Sequence, residues 1–164
     1  MPSKGSGDMH TELVDDFLGR ALTRRQVLKS YFDAGHYADV VHDARTTMDM
    51  VVLASMVHSA MPTEPRYIAD ERLPDIAATH KLTGMSYFIT KQARLSAMPL
   101  GAAVPGSYYT AADAQHAIDL TDKLLHMFVP HIRPQLANTL PPVEATVIAA
   151  RASAHAPARA ALSA

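Results

Sequence analysis

GHYADVVHDARTTMDMVVLASMVHSA, residues 35–60, is the stretch on which the fold turns. Tyr37, Val40, Val41, Ala44, Met48, Val51, Val52, Ser55 and Met56 recur at steps of three and four, the spacing that gathers side chains on one face of an α-helix. It is the longest uninterrupted pattern in the chain, and its opposite face changes character halfway. Asp39, His42, Asp43, Thr46 and Asp49 are polar, whereas Met50, Leu53 and Val57 are not. A helix that is apolar all round must be covered on both sides. The second half of this segment is therefore predicted either to run through the centre of a bundle or to meet a second subunit through Met50, Leu53 and Val57.

Working outward, the upstream residues Leu13, Val14, Phe17, Leu18, Ala21 and Leu22 make one apolar stripe. Thr23-x-x-Gln26 has the form of a capping box, predicting a second short helix that carries Val27, Leu28, Tyr31 and Phe32. Gly35 stands where a left-handed C-terminal cap belongs, because glycine accepts positive φ without steric cost. Downstream, Pro62 and Pro65 end the long helix. A weaker pattern of Leu73, Ile76 and Leu82 follows, and past Gly84 another helical one of Met85, Phe88, Ile89, Gln92, Leu95 and Met98, stopped by Pro99. Residues 99–109 read as a loop. Thr110 and Asp113 form an acidic capping box before Ala114, Ala117, Ile118, Thr121, Leu124, Leu125 and Phe128, and Pro130 is expected to end that helix.

No period-two strand, Asn-Gly hairpin, internal repeat or GxGxxG motif is found in the sequence. The expectation is an all-α, antiparallel four- to five-helix bundle. Residues 1–22 are expected to be a helical N-terminal extension, 23–133 the bundle, and 134–164 a Pro/Ala-rich tail that frays at its end.

Length and composition agree with one folded domain: 164 residues, 48% apolar and 19% charged. The 15 basic and 16 acidic side chains leave a formal charge of −1, so no global basic field draws the chain to nucleic acid or anionic lipid. The absence of cysteine excludes disulfides, thiolate nucleophiles, zinc ribbons and Fe–S clusters. The polar start and the lack of a long uncharged apolar run predict a soluble, cytoplasmic protein that neither spans nor binds a membrane. No cofactor is expected.

The order of pieces, with Gly35, Tyr37, Ala38 and Asp39 opening the long helix and the Tyr-Thr-x-x-Asp-Ala start at 109–114 opening the last, resembles the HEPN superfamily, the higher-eukaryote and prokaryote nucleotide-binding helical bundles. The resemblance covers roughly residues 23–128 and is HEPN-like in its helix order. It implies a bundle that commonly dimerises, in bacteria often beside a nucleotidyltransferase-type partner or within toxin–antitoxin and phage-defence modules. Many members are metal-independent ribonucleases that place an Arg and, a few residues later, a His across a dimer cleft. The guanidinium holds phosphate oxygens in a fork while the imidazole moves a proton near neutral pH. In this chain no Arg has a His at that spacing; Arg72 and His80 come nearest, with seven residues between them. Arg94 occupies the region of the family's Arg, but residues 95–101 contain no His. The resemblance thus implies a module that binds RNA, a nucleotide or an antitoxin-type partner without the nuclease pair. The alternative is a ribonuclease in which Arg94 works with a non-standard histidine such as His80.

Other constellations have competing explanations. Asp39 with His42 and Asp113 with His116 stand three apart and suit a metal held between helices, though Asp in a first helical turn is favoured by the helix dipole alone. Arg20, Arg24, Arg25 and Lys29 form the one local basic cluster and suit phosphate contacts. Asp15, Asp16 and Asp33 nearby equally suit exposed ion pairs of a few tenths of a kcal/mol. Tyr108 and Tyr109 are placed to stack on a base or to pack at a helix junction.

Overall fold

The computed structural model describes residues 6–60, 78 and 105–142. Among them there is no strand, and no helix is long and apolar enough to cross a membrane. Among the described residues three α-helices pack together, α1 (Ser6–Asp33), α2 (Tyr37–His58) and α3 (Ala111–Ile132), with 3₁₀ turns at Gly106–Tyr108 and Pro134–Thr139 on either side of α3.

α1 is a single helix of 28 residues, not the two helices expected from the Thr23 signal. The Thr23 hydroxyl donates to the Gly19 carbonyl at 2.9 Å, the back-bond that a threonine makes inside a continuing helix. Continuity puts Val14, Leu18, Ala21 and Leu28 on one line, all essentially inaccessible to solvent. A break at 23 would have turned part of that line away from the core.

The end of α1 matches expectation. Gly35 takes φ +77°, its N–H donates to Phe32 O at 3.0 Å, and the His36 N–H donates to Tyr31 O at 2.9 Å. These are the two bonds of a Schellman cap. The His36 ring stands edge-on to Tyr31 with centroids 6.5 Å apart, and Phe32 meets Tyr37 at 5.6 Å, so aromatic contacts brace the reversal. α2 consequently returns antiparallel to α1.

α2 is the central element, packed along α1 on one side and α3 on the other. Met48, Val51, Ala54 and Met56 are fully buried, Met50 and Val57 are 6% and 8% exposed, and Leu53 is half-buried. A central position within one chain therefore accounts for the doubly apolar second half, and its burial requires no second subunit. Each large side chain enclosed in this way stabilises the fold by about 1.5–3 kcal/mol before entropy is counted.

α3 begins with the predicted reciprocal box: Thr110 Oγ1 accepts from the Asp113 N–H at 3.2 Å, and the Thr110 N–H donates to Asp113 Oδ2 at 2.8 Å. It runs through Pro130 to Ile132 instead of ending there. A proline so close to the last residue removes one backbone bond with little helix left to disturb, and the Arg133 N–H still closes onto Val129 O at 2.7 Å.

Two charged links set the direction of α3. Arg25 meets Asp122, and Arg133 meets Asp15, so positions rise on one helix as they fall on the other. α3 is antiparallel to α1 and hence parallel to α2. Antiparallel neighbours, expected throughout, hold for both pairs involving α1 only. The tight turn at Gly35 forces reversal between α1 and α2, whereas α2 ends at His58 and α3 starts only at Ala111, a separation in sequence that imposes no direction.

Candidate functional site

The basic cluster on α1 is divided by the fold. Arg25 faces inward, where its guanidinium clasps the Asp122 carboxylate through Nε to Oδ1 and Nη2 to Oδ2, the latter at 2.7 Å. The side chains are 14% and 11% exposed. Arg25 is thus an interhelical clamp and is turned away from any phosphate outside. Arg24 reaches Asp43 of α2 at 3.3 Å and is part-buried. Arg20 and Lys29 remain in solvent, each 3.3 Å from an aspartate one turn away, Asp16 and Asp33 respectively. Exposed pairs of this kind are worth little, so both cations can exchange partner for an incoming anion.

Asp122 was not singled out by sequence, yet it carried a signal. It lies four residues after Ile118 and eight after Ala114, on the stripe predicted to be core, and a carboxylate there calls for a buried cation. Arg133 was likewise missed, and Asp15, expected to pair with the basic cluster of α1, pairs with Arg133 instead. Arg133 donates from Nε to Asp15 Oδ1 at 2.6 Å and from Nη2 to Thr11 O at 3.3 Å, stitching the end of α3 to the start of α1.

The tyrosine pair separates into two environments. Tyr108 is 52% exposed, whereas Tyr109 is 5% exposed and stands edge-on to it with ring centroids 5.3 Å apart. The Tyr109 hydroxyl finds no hydrogen-bond partner among the described residues. Burial pushes its phenol above the ordinary 10.0, with Tyr108 and Asp113 adding to the effect. Of the two rings, only Tyr108 offers a free edge to a ligand.

Asp39 and His42 are exposed on the first turns of α2, and the Asp113 carboxylate is committed to the Thr110 cap. Among the described residues no three His, Cys, Asp or Glu side chains converge as metal ligands. Arg94 and His80 lie outside the described residues. The described surface includes two depressions. A broad, shallow one of about 470 Å³ is centred on Asp16, Gly19, Arg20 and Thr23 of α1. A smaller one of about 130 Å³ lies between His10, Val57, His58 and Arg133, where three helix ends meet.

Comparison with protein-family models, with curated proteins and with solved structures finds no match to this chain.

Proposed function

We propose that this chain is a HEPN-like helical-bundle module without ribonuclease activity, acting as a dimeric binding or regulatory component of a nucleotidyltransferase-associated, toxin–antitoxin or phage-defence system. The observation that carries this reading is the paired start of two parallel helices. Gly35 closes α1 so that Tyr37, Ala38 and Asp39 open α2, and the Thr110–Asp113 box opens α3 at the same end of the bundle. These are the two segments through which the sequence resembles that superfamily. The absent Arg–His spacing supports a binding role over a nuclease. Arg20, Lys29 and Tyr108 are the exposed groups suited to phosphate and base contacts.

The test is incubation of purified protein with end-labelled structured RNA in the presence of chelator, wild type beside Arg94→Ala. Neither protein is expected to cut. Cleavage by wild type that is lost in Arg94→Ala would replace this reading with a metal-independent ribonuclease using a non-standard histidine.

A further inference from the structure

Among the described residues the large apolar side chains that stay exposed are Met9, Leu13, Val27 and Tyr108, and three of these four lie on α1. They share one line along the helix with Asp16, Arg20, Arg24 and, at its end, Tyr31, which is half-buried against the core. Read along the helix, this line is 9, 13, 16, 20, 24, 27 and 31, with steps of 4, 3, 4 and then 4, 3, 4. Such alternation is the seam of a packed helix pair. Here it is also a palindrome about Arg20.

Two pairs of charges are mirrored about position 20 with opposite sign, Asp15 with Arg25 and Asp16 with Arg24. Asp8, Glu12, Asp15 and Asp16 make the first part of α1 acidic, and Arg20, Arg24, Arg25 and Lys29 make the later part basic. Asp15 turns to Arg133 at the end of α3 and Arg25 to Asp122, whereas Asp16 and Arg20 remain on the open face, and Arg24, although bonded to Asp43, keeps 40% of its side chain exposed there. The surface is recessed at its midpoint, where the depression around Gly19 and Arg20 lies. A Cβ built at Gly19 would meet nothing within 4 Å.

From this we infer that the open face of α1 is a self-complementary docking surface for a second copy of the chain, with the two α1 helices antiparallel across a two-fold axis at Arg20. An isologous contact requires that whatever residue i meets on the partner, the reverse contact also occurs. Antiparallel pairing about position 20 sets Leu13 against Val27, Met9 against Tyr31 and Asp16 against Arg24 of the second copy, each contact made twice. The two Arg20 side chains meet at the axis, and each already holds its own Asp16 at 3.3 Å. Positive and negative groups therefore alternate across the centre.

The contact is a strip about 33 Å long at 1.5 Å per residue and roughly 10 Å wide. It is smaller than the ~800 Å² per partner of standard interfaces. The contact therefore falls in the size class of weak, transient associations, and the dimer is expected to separate on dilution. This inference rests on the dimeric part of the function proposed above and names its face.

The absence of cysteine makes the test clean. Helices packed about 8–10 Å apart bring facing Cα atoms within disulfide range. Arg20→Cys, oxidised with copper phenanthroline, is expected to yield a covalent dimer, whereas Gln26→Cys, exposed on the far side of the same helix, yields none. In sedimentation, Leu13→Lys is expected to weaken association at least tenfold, and adding Val27→Glu to restore it, because the introduced ammonium then meets the introduced carboxylate of the second copy. A wild-type chain that is monomeric at every concentration overturns both this inference and the dimeric reading. A dimer indifferent to Leu13→Lys, with Arg20→Cys cross-linking no better than Gln26→Cys, overturns the α1 face alone.

Discussion

Replacing Asp122 by alanine removes one half of the clamp that joins α1 to α3. The partner left behind is a guanidinium whose side chain is 14% exposed, with both its bonds to the carboxylate gone. Removing one member of a buried ion pair costs about 3–5 kcal/mol, because the remaining charge keeps its desolvation penalty and loses its compensation. Arg25 has a long stem and a partly open position, so its head can move toward water; the lower end, ~3 kcal/mol, is expected. For a chain of this size that corresponds to a fall of roughly 6–12 °C in Tm. Urea denaturation followed by circular dichroism reads the loss directly. The companion variant replaces both partners, Arg25→Met with Asp122→Leu, which leaves neither charge stranded. It should match wild type to within ~1 kcal/mol or exceed it. A single-mutant loss under ~1 kcal/mol, or a double variant as unstable as the single, would refute the account of Arg25 as a desolvated clamp.

Gly35→Ala should cost about 1–2 kcal/mol by denaturation, since φ +77° penalises a Cβ even where nothing lies within 4 Å of it; Gly35→Asn should cost less. Tyr109→Phe should leave stability at neutral pH unchanged or improved, because the hydroxyl it deletes is buried with no partner among the described residues. The raised phenol also sets a pH dependence: folding favours the protonated form, so its contribution is intact below 10.0 and is lost as pH rises through the higher folded-state value. Denaturation at neutral pH and again above pH 10.0 should show alkaline destabilisation in wild type that is reduced in Tyr109→Phe.

The parts of the fold legible in the sequence were those encoded locally. Gly35 and the Thr110–Asp113 box each declare a helix end within a few residues, and both are met by the bonds that define them. The apolar steps of α2 likewise placed its buried face. Thr23 misled because one short pattern serves two purposes: a threonine followed by Gln26 has the same spacing whether its hydroxyl starts a helix or bonds back to Gly19 within one. Pro130 misled for a related reason, since a proline's effect depends on how much helix remains beyond it. The clamp between Arg25 and Asp122 joins positions 97 apart. No local pattern reports such a link, although an aspartate on an apolar stripe hints that one exists. The basic cluster was visible as composition, but which of its members face inward depends on where α2 and α3 lie.

The bonds from Arg133 to Thr11 and Asp15 fasten the end of α3 to the first turns of α1, so these two helix ends share one pole of the bundle. The opposite pole carries the Gly35 reversal, Tyr108 and the starts of α2 and α3. Displacing the first turns of α1 therefore loads the last turn of α3 directly, without passing through the reversal at the other pole.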